Sequence, residues 1–572
     1  MKKTGAWLAR YAMEQVGIKY TLGIPGVHNT ELYDELNKSE QIEPILVSHE
    51  GGGAFMADAI SRVSDSTGTL VIVPAAGVAY AAAGIGEAFL DGIPMLVFCG
   101  GVRTDLDYEN QLHEMDQHSF IKAFCKNTYL LNKHEDIIPT IYEAYELAHS
   151  GEPGPVFIEI PVNIQLFKGD IQDTPTYSSK IKTPEIDKAL LNKAAELIKQ
   201  AKKPCIFAGW GAKEASDELI ALSEKLQAPV TTTLQGLSVF PHDNPLHAGF
   251  GFGNSSVPAA QKSFEDCDCL IAIGTKFSEI ATGSFGINPP KNIIHIDINP
   301  DSIGVNYPVN VGLVADAKEG LISLLPKIEN KQKSNLATQI AQHKKEYLDS
   351  WLAHDSKGKV NPAAFFQELR KQLPRDGITV VDDGNHTFLS AELMPIYKSK
   401  SYISPTDFNC MGYSVPAAIG AKLSNKEKDV VTIVGDGCFA MTCMEISTAT
   451  ALGLGVVYFV FNDGELSQIS QAQEIPYNRK PCTILGRVNF EGVAMAVGAD
   501  YIKLTNNSDI EDAISEALKR SRAGVPVIVD VAIDYSKKTA FTLGAVKTNF
   551  GRFDLKTKLR FGGRALKRKI TG

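Results

Sequence analysis

Short runs rich in Val and Ile recur along the chain, each ending near Gly, Asp or Pro and followed by a longer segment whose apolar positions return every three or four residues. The runs are "ILVSHE", "TLVIVPAAG", "PMLVFCGG", "PCIFAGWG", "CLIAIGTK", "IIHIDINP", "ITVVDDGN", "VVTIVGDG" and "GVVYFVFND". Runs apolar on both faces that alternate with helical segments predict parallel strands covered by helices on both sides. Two stretches break the rhythm: 166–187, polar with two prolines, and 327–360, lysine-rich and amphipathic. Read as linkers, they predict an α/β protein of three doubly wound parallel-sheet domains, at 1–165, 188–327 and 358–536, with a tail at 537–572.

Composition narrows the function classes. A chain of 572 residues, 44% hydrophobic and 22% charged, is too long for one core. Its net charge of −9 argues against a dedicated nucleic-acid binder. Nine cysteines without paired spacing read as reduced thiols, and hence a cytoplasmic protein. No apolar stretch approaches the roughly 20 residues that span a bilayer, and Arg10 and Glu14 interrupt the amino-terminal segment. From Lys537 onward the sign reverses, with 11 Lys or Arg against one Asp in 36 residues. That tail reads either as a basic lid attracting an anionic or CoA-linked substrate, or as a solvated segment suited to acidic surfaces.

The candidate chemistry begins at "VGDGCFAM", 434–441. A strand at 430–434 turns at Gly435-Asp436-Gly437 into a helix with apolar positions Phe439, Cys443, Ile446 and Ala449, and a second strand, 456–461, ends at Asn462-Asp463-Gly464. A βαβ crossover makes the strands parallel, so both turns leave at one edge of the sheet and two carboxylates converge. The helix start there suits a phosphate, and carboxylates beside a phosphate call for a bridging hard cation such as Mg²⁺. In isolation, Gly-Asp-Gly is as readily a turn with a helix N-cap.

The whole segment resembles the cofactor motif of the thiamine diphosphate (ThDP) enzymes. The resemblance implies that Asp436, Asp463 and the backbone carbonyl of Glu465 hold Mg²⁺ on the diphosphate, with Gly435, Gly437, Cys438 and Leu466 around it. Asp463 departs from the family's usual Asn but keeps a carboxylate oxygen. "EPILVSHEGGGAFMADAISRVS" resembles the family's strand, His-Glu and helix. This implies that Glu50, closing a strand, is the glutamate that bonds the cofactor's pyrimidine ring and promotes loss of the reactive proton, a role that burial favours by raising a carboxyl pKa.

Further segments follow in family order. "GIPGVHNTEL" supplies Pro25 and Gly26, the Gly-Pro-Gly turn becomes Ala75-Ala76-Gly77, and "DDGNHTFLS" supplies Asn385 and His386 for the diphosphate. In "FNCMGYSVPAAIGAK" the resemblance gives Met411 as the apolar wedge between the cofactor rings and the Asn409 carbonyl as acceptor of the pyrimidine amino group. The layout resembles the acetolactate synthase, pyruvate oxidase and 2-oxo acid decarboxylase superfamily, in the acetolactate synthase manner. It implies a homodimer or homotetramer whose sites lie between subunits, Glu50 from one and Asp436 from the other.

The middle block resembles segments that hold FAD in acetolactate synthase and pyruvate oxidase, or ADP in oxalyl-CoA decarboxylase. Asp297 stands where a ribose hydroxyl would bind, while Ile280 replaces a flavin-contacting arginine. Val162 and Ala472 replace the lysine and the acceptor-selecting tryptophan of acetolactate synthases, and Leu112-His113-Glu114 replaces Phe-Gln-Glu. His113 reads as a proton shuttle, with His28 and Gln468 lining the pocket.

The expected activity is ThDP- and Mg²⁺-dependent decarboxylation of a 2-oxo acid, with acyl transfer to an acceptor. The alternatives are a 2-hydroxyacyl-CoA lyase or oxalyl-CoA decarboxylase-like activity on an acyl-CoA, a flavin-dependent oxidoreductase, and a non-catalytic ThDP-binding subunit.

Overall fold

In the computed structural model, which describes residues 1–571, the apolar runs become three parallel six-stranded sheets. The first holds β1 (Tyr20–Gly23), β2 (Glu43–Leu46), β3 (Gly68–Ile72), β4 (Met95–Gly101), β5 (Asn127–Leu130) and β6 (Pro155–Pro161), ordered β2-β1-β3-β4-β6-β5. The second holds β7 (Pro204–Ala208), β8 (Val230–Thr232), β9 (His247–Phe250), β10 (Cys269–Ile273), β11 (Asn292–Asp297) and β12 (Val311–Val314), ordered β9-β8-β7-β10-β11-β12. The third holds β13 (Ile378–Val381), β14 (Tyr402–Ile403), β15 (Val430–Gly435), β16 (Val457–Phe461), β17 (Asp500–Leu504) and β18 (Val527–Val531), ordered β14-β13-β15-β16-β18-β17.

The first and third sheets share one strand order, and the second has the doubly wound order in which two halves fan out from a central pair. In such sheets, loops leaving the carboxyl ends of the strands flanking the reversal of strand order form a crevice. Those strands are β1 and β3, β7 and β10, and β13 and β15. The predicted residues at 25–26, 77, 385–386 and 435–437 follow four of them.

All nine predicted runs form strands, and nine further strands complete the sheets. Several of these, such as "VTT" at β8 and "YI" at β14, are too short to stand out. β6 and β18 are long but carry an acid, Glu159 and Asp530, within the run. Glu159 is partnered locally, accepting from Gln117 Nε2 at 2.5 Å and lying 3.0 Å from His118. The 327–360 stretch is more than a linker, since it contains the helix Leu336–Leu352, which buries Ile340 and Trp351.

Two local expectations need correction. Strand β2 stops at Leu46, so Glu50 opens the helix Glu50–Val63 instead of closing a strand. The helix expected after Gly437 is three pieces, Asp436–Thr442, a 3₁₀ turn Cys443–Glu445 and Ile446–Ala451, although Phe439, Cys443, Ile446 and Ala449 are all buried as predicted.

The tail forms the helices Ala540–Arg552 and Leu555–Thr571; Gly572 lies outside the described residues. Glu392 accepts from the Ala540 and Phe541 amides, and Phe541 stacks on Phe388 at 4.0 Å, so the first tail helix is fixed to the body. The second lies beside the helix Ser467–Tyr477, which follows the Asp463 turn. Among the described residues no helix is long and apolar enough to cross a membrane.

Candidate functional site

The carboxyl edge of the third sheet carries a cavity of about 140 Å³. Its lining includes Asn385, His386, Met411, Gly435, Asp436, Gly437, Cys438, Asp463, Glu465, Leu466 and Gln468, with Tyr535 closing one side. Asp436 accepts from the Gly437 amide at 2.9 Å and from the Gly464 amide at 2.7 Å, which ties the two turns together. Burial, with Asp463 adding repulsion, pushes its carboxyl up to about 6. The Asp463 carboxyl is also raised, first by burial and then by Glu465; one oxygen accepts from Ser467 and the other, Oδ1, is buried without a partner. The Glu465 side chain is engaged by Lys480 and Ser470, leaving its backbone carbonyl as the group available to an ion.

Glycine at 435 and 437 follows from crowding. A Cβ on Gly435 would stand 2.9 Å from the His386 ring, and one on Gly437 would stand 2.7 Å from Leu466. His386 is itself buried, its pKa pushed down to about 3, and its Nε2 has no partner. Gln468 Oε1 and the Tyr535 hydroxyl are buried and unpartnered as well. The Cys438 thiol is engaged within the protein, donating to the Asp383 carbonyl at 3.1 Å. Buried polar atoms are ordinarily hydrogen-bonded, so orphaned acceptors and a nitrogen around one cavity fit a polar ligand and a cation.

Asn409 has φ +65, a conformation that non-glycine residues avoid, and precedes Met411. The loop is held by acids: Asp382 accepts from the Gly412 and Ser414 amides, and Glu87 of the first domain accepts from Thr406 and Cys410. Behind it, Arg62 donates to Asp58 and Asp91, and the Tyr413 hydroxyl donates to Asp58. Asp382 and Asp58 fall inside segments read as motifs, but none of these acids was given a role from the sequence. Their pairing across domains becomes visible only once the two sheets face each other.

The first domain assembles a second group. Glu50 is 7% exposed. A Cβ on Gly77 would lie 3.5 Å from Glu50 Oε1, so this glycine faces the carboxyl. Asn29 Oδ1 accepts from the Gly26 amide at 2.7 Å and fixes the Pro25-Gly26 turn, where a Cβ on Gly26 would meet Val73 at 2.5 Å. His28 and His113 come together, Nδ1 to Nδ1 at 3.4 Å, and burial followed by the charge of His113 lowers the His28 pKa. Neither Glu50 nor the histidine pair lines the cavity around Asp436, so one chain does not join the two groups. Exposed apolar side chains flank both: Val27 (66%) and Tyr80 (56%) on one, Met441 (61%) and Met444 (55%) on the other.

Ala75, where the family turn has glycine, adopts φ +54 and ψ −89. A Cβ is strained there, so Ala75→Gly is expected to raise stability by about 1 kcal/mol, read from the urea midpoint. An unchanged or lower midpoint would show that the neighbouring turn absorbs the strain.

The second sheet's crevice is different. The Gly209 amide donates to Ile273 and that of Gly211 to Gly274, so these donors are spent within the protein. A Cβ on Gly209 would meet the Gly274 carbonyl oxygen at 2.2 Å, which makes the glycines a packing requirement. Trp210, Gln235 bonded to the Asp91 carbonyl, and the Lys276–Glu152 ion pair leave about 80 Å³ of space. Asp297, raised to about 6 mainly by burial, accepts from the Asn299 amide, and Ile280 packs on the third domain's core. The glycine amides of this crevice are thus engaged within the protein and are not offered to a pyrophosphate.

Comparison with known proteins defines the class. The model described as thiamine pyrophosphate enzyme, N-terminal TPP binding domain, matches residues 2–120; the central-domain model matches 191–324, and the C-terminal TPP binding domain model matches 382–531. The chain belongs to the thiamine pyrophosphate (ThDP) enzymes.

Within them it is acetolactate synthase-like. It is 31% identical over 545 residues to a probable acetolactate synthase large subunit of Methanocaldococcus jannaschii, covering 91% of this chain and 90% of the relative. It is 29% identical over 544 residues to the acetolactate synthase isozyme 1 large subunit of Escherichia coli, covering 94% and 95%. A mitochondrial acetolactate synthase catalytic subunit of Saccharomyces cerevisiae is 28% identical over 558 residues, covering 93% and 81%.

Proposed function

We propose that this ThDP enzyme decarboxylates a 2-oxo acid with Mg²⁺ and transfers the acyl group to an acceptor, at sites completed by a second copy of the chain. The observation that carries the reading is the pairing of Asp436 with Asp463, whose Oδ1 is buried and unpartnered at the cavity edge. When bound, ThDP supplies the electron sink for breaking and forming a C–C bond next to a carbonyl. Asp436, Asp463 and the Glu465 carbonyl would hold the metal, and Asn385 and His386 would meet the diphosphate. Met411 supplies an apolar surface, and the Asn409 carbonyl an acceptor. Glu50 of the second copy would hold the mobile proton, while His28 and His113, in contact through their ring nitrogens, would move protons on the substrate side. The exposed Val27, Tyr80, Met441 and Met444 suit burial against that copy.

The acceptor is less constrained by the chain. Val162 and Ala472 offer neither a cation nor a large aromatic surface, so acceptor choice differs from that implied by the acetolactate synthase resemblance. The crowded middle crevice favours a protein that purifies without flavin. Supplying pyruvate with ThDP and Mg²⁺ and scoring CO₂, acetaldehyde and acetolactate separately tests the reading. CO₂ with acetolactate supports carboligation, and CO₂ with acetaldehyde limits the activity to decarboxylation. No CO₂ from pyruvate or larger 2-oxo acids would remove the proposal in favour of acyl-CoA substrates.

A further inference from the structure

Glu445 is 3% exposed and ends the 3₁₀ turn that follows the Asp436 helix. Its carboxylate does not face that helix's cavity. It reaches across to the first domain of the same chain, where Oε1 accepts from the Ser48 amide at 2.8 Å, while Thr448 Oγ1, one turn on in its own domain, donates to the same oxygen at 2.8 Å. The Ser48 and Ser447 hydroxyls lie 3.1 Å apart beside it. Two residues beyond Ser48, Glu50 begins a 14-residue helix whose cap is His49, with His49 Nδ1 accepting from the Gly51 amide at 3.0 Å. Gly52, in that helix's first turn, is glycine because a Cβ would stand 2.4 Å from Glu445 Oε2. A buried carboxyl thus sits against the amino end of the Glu50 helix, bonded to the Ser48 amide just before it and packed on Gly52 in its first turn.

We infer that Glu445 is a positioning residue for Glu50 of its own chain, and thus serves the active site built on its partner's third domain and not the one beside it. This rests on the proposed shared site. The chain segment 436–445 then has two allegiances: Asp436 at one end to the local metal site, and Glu445 at the other to the remote one. Substituting either affects a different site of the dimer.

Mixed dimers separate the possibilities. Two differently tagged chains are co-expressed, purified through both tags, and assayed with ThDP, Mg²⁺ and the turned-over 2-oxo acid. The control pairs a Glu50→Gln chain with an Asp436→Ala chain. With shared sites both lesions fall in one site, and about half the wild-type turnover remains; an inactive control overturns the shared site and this inference with it. The test pairs Glu445→Gln with Asp436→Ala. About half the wild-type turnover is expected, because both lesions again share a site. If the control is half-active and this dimer is inactive, Glu445 acts on its own chain's metal turn or only on folding, and the inference falls.

The Glu445→Gln homodimer should lose about tenfold or more in kcat while keeping its ThDP affinity within about threefold; wild-type kcat would overturn the proposal. Glu445→Asp keeps a carboxyl but shortens its reach to the Ser48 amide and should give the same mixed-dimer pattern with Asp436→Ala; if the Gln variant does not fold, an inactive dimer of this pair overturns the proposal.

Discussion

Glu50→Gln is expected to lower 2-oxo acid turnover by about 10²–10⁴-fold, the range that loss of a general acid–base group produces. Glutamine keeps the shape and one acceptor but can no longer take or return a proton. The carboxyl is buried, faces Gly77 and opens a helix held at its amino end by groups from two domains. ThDP affinity should change far less than kcat, since the residues proposed to hold the diphosphate line a cavity on another domain. Single-turnover kinetics with saturating ThDP provide the check. A variant within about threefold of wild type would show that Glu50 is a packing residue and that another group moves the proton.

Arg62→Met should cost about 3–5 kcal/mol of stability, the penalty for removing one partner of a buried ion pair. Arg62, in the last turn of the Glu50 helix, donates to Asp58 one turn earlier and to Asp91, with both acids buried, and Tyr413 of the third domain completes the cluster. Methionine fills similar volume but leaves two carboxylates facing each other. Because Asp91 also accepts from Asp407, next to the Asn409 loop, ThDP affinity should fall with stability. Urea unfolding read alongside ThDP titration distinguishes the outcomes. A loss below about 1 kcal/mol would mean that the acids are neutralised by protonation instead.

Much of the fold was legible because nine strands are runs rich in Val and Ile, most of them ending near glycine, aspartate or proline. β8, β14 and the acid-bearing β6 and β18 were not, since their burial comes from neighbouring strands and helices. The meeting of Asp436 and Asp463 could be read from the sequence because a crossover forces both turns onto one edge. Glu50 needed the family pattern, and even then its place at the start of a helix had to come from the structure. Glu87, Asp91, Asp382 and Glu445 escaped altogether. Each is an acid on a helix, turn or strand end that looks solvated in sequence, and each is buried by an element from a distant part of the chain. The Gly209–Gly211 pair shows the reverse, a nucleotide-like pattern that the packing of Gly274 explains.

The most direct test of the central claim is a calorimetric titration of ThDP into the protein with and without Mg²⁺, repeated with Asp436→Ala and across pH. The account predicts tight, Mg²⁺-dependent binding at pH 7.5 that the substitution abolishes. Without a cation the Asp436 carboxyl titrates at about 6. Its relative stabilisation of the folded state is therefore full below the ordinary carboxyl range and lost as pH rises through about 6, and a bound cation offsets that loss. Affinity should accordingly fall as pH drops through about 6. ThDP binding that ignores Mg²⁺, survives Asp436→Ala and stays level from pH 7.5 to 5 would contradict the assignment of this sheet edge as the cofactor seat.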